Sequence, residues 1–368
     1  MTESTSIQRF ETERGARIYR IPLHLFPELD GFVHLVLMDE FCVLFDVGSG
    51  FGPANEELEE GLAVIRTEYG EKAGWSDISH VVISHGHIDH FGGLVNVRKV
   101  CRAPVIIHGL DRRVITHYEQ RLALVARRLE GYLHEAGLTP GQIEGVMAMY
   151  MLNKGLFQSQ PVDLICEELG MRLGRMEWVH VPGHCPGQIV ARIDDILLSA
   201  DHVLETTSPH QAPESLSLTT GLNHYLESLA RLLPLSNQVN LTLGGHEGPV
   251  YDLDRRIREI ANVHRERLLE ILSFTEEACT ISEIAGRLFP DVDGYHQLLA
   301  LEEAGAHIEY LHQRGFLIVE NYEQIERHSG VPMLFRRVDV GNFERFNPLF
   351  AVFGPATEAI GETAEAIF

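Results

Sequence analysis

The stretch HVVISHGHIDHFGG, residues 80–93, constrains this chain more than any other. An apolar run of strand length ends in a loop that packs three histidines and an aspartate between His85 and His90. So many imidazole and carboxylate groups at one strand end are costly to bury unless they are paired or hold a cation. In an extended turn His85 and His87 point to one side. Asp89 and His90, at the start of the next helix, turn to another, so one loop offers two adjacent cation sites of mixed nitrogen and oxygen character. That ligand set suits zinc, iron or manganese. Gly86 leaves room for the turn between ligands, and Gly92 and Gly93 allow backbone to pass close to a buried site.

One loop cannot complete two sites, so the fold must bring in other strand ends. The sequence supplies three in order: His184 in VPGHCPGQ, Asp201 in LLSADHV and His246 in LGGHEGP. Each follows an apolar run and stands beside small residues. His180, His202 and His210 lie near these positions and are further candidates for contact with the site, although each also fits a polar loop or strand edge.

With 368 residues and 45% apolar content, the chain can build two domains, or one large domain with an appendage. No apolar run approaches the roughly 20 residues needed to span a bilayer, and the opening MTESTSIQRF has no signal-peptide core, so a cytoplasmic protein with no membrane contact is expected. The five cysteines, Cys42, Cys101, Cys166, Cys185 and Cys279, form no CxxC pair, which argues against a disulfide framework or a thiolate zinc site. They read as buried or idle thiols. Thirty basic against 53 acidic residues give a net charge of −23, which repels phosphate backbones and disfavours nucleic acid as a partner.

Strand-length runs occur at ARIYRIP, FVHLVLM and FCVLFDVG, the last two separated only by Asp39 and Glu40, which is a hairpin signature. Helical and strand patterns then alternate as in an α/β sandwich. From about residue 111 to 170 the pattern turns to long helical stretches with no strand between them, which reads as a helical insertion. Strands resume at MEWVHVP, QIVARI, DILLSAD and NLTLGG. The first domain, residues 1–254, is expected to close there. Residues 255–340 show short helices followed by two strand-like pieces, FLIVENYEQI and PMLFRRVDV, suggesting a winged-helix-like module. The tail, residues 341–368, carries Phe343, Phe346, Phe350, Phe353 and Phe368.

The order HxHxDH, then His, Asp and His, resembles the pattern of the metallo-β-lactamase superfamily over roughly residues 17–251. The resemblance implies an α/β fold, the αββα sandwich, here with a helical insertion and a C-terminal winged-helix-like domain. It further implies that His85, His87 and His184 bind one divalent metal ion, that Asp89, His90 and His246 bind a second, and that Asp201 bridges both. Asp46 in LFDVGSG matches the strand-end aspartate that orients a ligand in this family.

Two cations about 3.5–4 Å apart hold a shared water, lower its pKa toward neutrality and polarise a carbonyl or phosphoryl oxygen. No side-chain nucleophile is then needed. Asp89 is the candidate catalytic proton shuttle. Cys185 has no GxSxG-like elbow or base around it and reads as structural. His87 stands where the flavodiiron branch has Glu, which disfavours reduction of dioxygen or nitric oxide.

A winged helix after such a domain is similar to hydrolases related to a mitochondrial ribonuclease. Residues 265–339, however, hold 7 basic and 14 acidic residues, the wrong sign for binding phosphates. The module is therefore expected to wall the site or build a homodimer, the latter with the Phe-rich tail. Met147, Met149, Met151, Leu152, Leu156 and Phe157 in the insertion are adaptable apolar side chains that could line a pocket for an acyl group. The expected function is a binuclear hydrolase using a metal-bridging hydroxide on a small ester, thioester or lactone. Zinc is the expected metal, with iron or manganese as alternatives. The alternative functions are a phosphodiesterase or ribonuclease and, outside hydrolysis, an iron-dependent sulfur dioxygenase.

Overall fold

The early apolar runs form a ladder because their alternate residues face a common core. In the computed structural model, β1 (Gln8–Glu11), β2 (Arg17–Phe26), β3 (Leu29–Met38) and β4 (Phe41–Phe45) pair antiparallel in sequence order. The β3–β4 hairpin turns at Asp39 and Glu40, with Met38 opposite Phe41 and Asp39 at φ 47°, the left-handed conformation that such short loops require. Three parallel strands extend this sheet: β5 (His80–Val82), β6 (Val105–Ile107) and β7 (Leu164–Ile165). Helix α1 (Ala54–Thr67) links β4 to β5, and α2 (Ile88–Phe91) and α3 (Leu94–Val100) link β5 to β6.

A second sheet is built from β8 (Arg172–Leu173), β9 (Met176–His180), β10 (Ile189–Ile193), β11 (Ile196–Ala200), β12 (Leu241–Gly244) and β13 (Pro249–Val250), antiparallel except that β11 and β12 run parallel. Ile18, Val36, Val43 and Phe45 of the first sheet share one core with Trp178, Ile189, Ala191, Ile193 and Leu198 of the second. Val43 and Phe45 of β4, and Ile189, Ala191 and Ile193 of β10, enter it at every second residue, the period of a pleated strand. This core lies within one compact unit, Met1–Glu119, Phe157–Glu205 and Pro234–Leu253. The described residues are 6–152, 155–339, 341, 343 and 347–355.

The second unit comprises Gln120–Leu156, Thr206–Leu233 and Asp254–Phe368. After α4 (Gly109–Thr116), the insertion continues as α5 (Tyr118–Glu135) and α6 (Pro140–Leu152), followed later by α7 (Leu222–Leu232). The C-terminal part supplies α8 (Leu253–Phe274), α9 (Ile281–Leu288), α10 (Gly294–Gln313), β14 (Leu317–Val319), α11 (Tyr322–Arg327), β15 (Phe335–Arg337) and α12 (Pro348–Phe353). Helix α9 starts on a capping box in which Thr280 and Glu283 satisfy each other's backbone N–H groups. No helix among the described residues is long and apolar enough to cross a membrane.

Three sequence expectations need correction. The insertion is interrupted by a strand, because β7 pairs beside β6 within residues 111–170. Two residues are too few to show a periodicity, and only edge pairing creates the strand. The run FLIVENYEQI is a strand only as far as Val319. Asn321 then bonds the Pro332 carbonyl (2.8 Å) and the Leu334 N–H (3.0 Å), and Tyr322–Arg327 forms a helical turn. The tail aromatics Phe350 and Phe353 are buried, and Phe350 packs against Tyr310 and Phe343 within its own unit. Their presence therefore gives no surface reason for a dimer. Phe346 and Phe368 lie outside the described residues.

The second unit also buries a polar chain. The His307 Nδ1–H donates to the Glu303 carbonyl (2.7 Å), so neutral His307 must accept at Nε2 from the Nδ1–H of His264 (3.0 Å). Burial and then Arg267 push His307 down to about 3. The Glu303 carboxylate is engaged by Arg267 (3.0 Å) and the Gln211 N–H (2.7 Å). The His264, Glu303 and His307 side chains are close enough to cage a cation. Because Arg267 already neutralises Glu303, we read them as a structural network.

Candidate metal centre

All seven expected ligands leave neighbouring strand ends of the first unit. His85, His87, Asp89 and His90 follow β5, and His184 lies in the β9–β10 connection. Asp201 follows β11 and His246 follows β12. Because those two strands run parallel, with Ala200 level with Gly244, both ligands emerge at the same edge. A bulge between Leu198 and Ala200 re-aims the end of β11. Ala200 is held at φ 46° and Asp46 at φ 65°, so strained backbone sits beside the ligands.

The side chains gather into two sets. Ligand atoms of His85, His87, His184 and Cys185 lie within 4.8 Å of one another, as do those of Asp89, His90, Asp201 and His246. Asp201 also reaches the first set, with Oδ2 4.0 Å from His85 Nε2 and 3.8 Å from His184 Nε2. Its Oδ1 is 3.3 Å from His90 Nε2, and its Oδ2 is 3.4 Å from His246 Nε2. The Asp89 Oδ2 faces His90 and His246 at 3.4 Å each. Cys185, read from sequence as structural, is buried beside the first set.

The imidazoles are oriented from behind. Asp46 accepts the His90 Nδ1–H (2.9 Å), the Ser84 N–H (2.7 Å) and the Ser84 hydroxyl (2.8 Å). The Asp30 carbonyl accepts the His246 Nδ1–H at 2.7 Å. Both rings therefore turn Nε2 inward, toward carboxylate oxygens that also present lone pairs. Only a proton or a cation between them makes that arrangement favourable. His85 Nε2 is fully buried with no hydrogen-bond partner, an unmet polar atom that a cation would satisfy. The arrangement fits a binuclear cation site.

Charge balance agrees. Burial alone would lower His246, but Asp201 and Asp89 push it up to about 10, and His90 is raised well above its ordinary value against the same burial by Asp201, Asp89 and Asp46. Burial, then His184, pushes His87 down to about 3, so its ring is neutral. Burial would raise Asp89 and Asp201, yet His90 and His246 hold both carboxylates well below the usual range.

Of the other candidates, His180 stacks on His108 at 3.9 Å and donates from Nε2 to the Pro186 carbonyl (2.8 Å), supporting the His184 loop from outside the cluster. His202 is buried next to Asp201. His210 belongs to the second unit, with Nε2 3.2 Å from the Leu299 carbonyl. Sequence reasoning missed Arg20. It is buried over the Phe32 ring, and its Nη2 donates to the carbonyls of Gly244, His246 and Glu247, clamping the His246 loop. A charged residue inside the apolar run IYRIP was the available signal. Gly92 was anticipated for close approach, and a Cβ there would lie 2.2 Å from the Ser49 carbonyl oxygen.

Asp46→Ala should weaken divalent-cation binding by about 10–100-fold, because His90 loses the acceptor that fixes its tautomer. Equilibrium dialysis with zinc or cobalt would measure this. An unchanged affinity would remove Asp46 from the centre.

The comparisons with known proteins agree with this geometry. A probable metallo-hydrolase of Bacillus subtilis is 26% identical over 296 residues, covering 77% of this chain and 88% of the relative. A second from the same organism is 23% identical over 227 residues, 60% of this chain and 86% of that one. A metallo-beta-lactamase family protein of Thermus thermophilus superposes with a TM-score of 0.68 at 22% identity, covering 87% of this chain and 98% of its own. A beta-lactamase domain protein of Burkholderia ambifaria gives 0.67 at 21% identity, covering 90% and 94%. At such identities these structures speak for the fold alone. The family model described as "Metallo-beta-lactamase superfamily" matches residues 27–273, a span that includes all seven clustered positions. On that match, which covers more than half of its length, the chain belongs to the metallo-β-lactamase superfamily.

Proposed function

We propose that this chain hydrolyses a small ester, thioester or lactone at a binuclear centre held by His85, His87 and His184 on one side and by Asp89, His90 and His246 on the other. Asp201 is shared between them, and zinc is the expected metal. Metal-dependent hydrolysis is the activity to which superfamily membership and the two probable metallo-hydrolase relatives point. The observation that carries the reading is Asp201, one buried carboxylate within 4.0 Å of four imidazoles drawn from both ligand sets.

When bound, divalent cations held by these residues would supply a water of near-neutral pKa and a Lewis acid for the scissile carbonyl. The chain's own groups do the rest. Asp46 and the Asp30 carbonyl fix the His90 and His246 rings before substrate arrives, so no reorganisation is needed during reaction. The Asp89 carboxylate faces His90 and His246 at 3.4 Å each and, beside bound cations, would be ionised and able to accept a proton. It takes the proton lost by the attacking water and returns it to the departing alkoxide or thiolate.

The surroundings support this substrate class. A net charge of −23 opposes polyanions but leaves neutral acyl compounds unaffected. In the first unit Phe157 is buried against Gly92 and stands 6.3 Å from Phe26, which lies 5.7 Å from the half-exposed Phe51. This aromatic cluster adjoins the ligand loop and offers an apolar wall. In the insertion, Met147 and Met151 line a shallow groove with Pro140 and Ile143 in the second unit.

With one metal loading, kcat/KM should rise roughly fourfold for each added acyl methylene until the wall is covered, since each buried methylene contributes about 0.8 kcal/mol. Phe157→Ala should flatten that dependence, read as the ratio of long to short acyl esters so that its stability cost of about 3–5 kcal/mol does not confuse the result. Preferential turnover of bis-p-nitrophenyl phosphate or single-stranded RNA would overturn the reading. Iron content with oxygen uptake on persulfides would do so in favour of a dioxygenase.

A further inference from the structure

We infer that Asp111, on the first turn of α4, is a positioning residue that sets the distance between the loop carrying His85 and His87 and the loop carrying His184. The inference rests on the binuclear reading above. Asp111 is 0% exposed. Its Oδ2 accepts the N–H of Gly86 at 2.9 Å, and its Oδ1 accepts the N–H of Gly187 at 2.9 Å. Gly86 lies between His85 and His87, and Gly187 closes the HCPG turn begun by His184. One buried carboxylate thus ties together two segments about a hundred residues apart in sequence.

Steric contact supports the same assignment independently. A Cβ on Gly86 would lie 3.0 Å from Val114 Cγ2, and a Cβ on Gly187 would lie 2.7 Å from the Asp111 nitrogen and 2.8 Å from its Cγ. Asp111 and Val114 are i and i+3 on one face of α4, so that face presses on both loops. The helix is itself anchored: His108 accepts the Leu110 N–H, and the Glu167 carboxylate accepts the Gly109 N–H at 3.0 Å. The Gly86 and Gly187 N–H groups are both donors. Only a side chain with two acceptor oxygens satisfies them, whereas asparagine turns a donor against one N–H.

The test uses the full chain as wild type, Asp111→Ala and Asp111→Asn. Amide hydrogen exchange of Gly86 and Gly187, followed without metal, reads the tie itself. Both amides should be protected in wild type and lose protection in the variants. Cobalt(II) titration followed by the visible spectrum reads the positioning. The variants should lose about 10–100-fold in the affinity of the His85, His87 and His184 set and show a shifted spectrum, with the Asp89, His90 and His246 set less affected. If the alanine variant does not fold, asparagine carries the test, since it keeps the shape and one acceptor. Lost protection with wild-type affinity and spectrum would overturn the positioning role alone, and retained protection would overturn the tie. A wild type with protected amides that binds no divalent cation would defeat the metal reading, and with it the role assigned to Asp111.

Discussion

Asp201→Ala should lower metal content in both halves of the centre together and reduce kcat/KM by at least about 10³-fold. Asp201 is the one carboxylate that reaches His85, His184, His90 and His246, so its loss strips negative charge from both sets of imidazoles at once. Removal of a single preorganised electrostatic contact already costs about 10²–10³ in rate. Losing a ligand common to two ions should exceed that. His246→Ala removes a residue of the second set only, and should leave roughly half the bound metal while activity still falls. Metal analysis of each purified variant beside a hydrolysis assay checks both statements. Undiminished metal in Asp201→Ala, or equal loss from both halves in His246→Ala, would refute the shared role of Asp201.

Binding of divalent metal to the metal-free protein at pH 7 should release protons, up to one each from His90 and His246. Facing Asp201 and Asp89, His246 sits at about 10 and His90 well above its ordinary value, so both carry a proton that must leave before Nε2 can bind an ion. The sign follows from linkage. A raised histidine stabilises the metal-free fold fully below 6.5, and that contribution is lost as pH climbs toward about 10. Asp89 and Asp201, depressed, contribute above the ordinary carboxylate range and cease to do so as pH falls through their lowered values. Raising the pH from 6.5 toward 10 should therefore weaken the metal-free protein while metal affinity climbs, about tenfold per pH unit for each proton displaced. The gap in Tm between metal-loaded and metal-free protein should widen over the same window. Calorimetric titration in buffers of different ionisation enthalpy counts the protons. Heats independent of buffer, with a constant Tm gap, would show that the two rings are neutral before metal arrives.

The sequence by itself determined what is local. Apolar runs of strand length marked β2 through β5 and β9 through β12, and the two-residue step between Met38 and Phe41 specified a hairpin. The cluster from His85 to His90 pointed to a two-cation centre, and His184, Asp201 and His246, each at the end of an apolar run, gained their weight by following that cluster together. Such signals lie within a window of a few residues and need no knowledge of what packs against them. Tertiary structure alone decided the remainder. The bulge before Ala200 that aims Asp201 arises from the pairing of β11 with β12. The clamp of Arg20 on the His246 loop and the tie of Asp111 to Gly187 join residues far apart along the chain, and no local pattern encodes a hydrogen bond across that separation. β7 exists because β6 offers it an edge, and the fate of the tail aromatics depended on whether Tyr310 and Phe343 were there to cover Phe350. In each case the deciding partner is distant in sequence, and only folding brings it near.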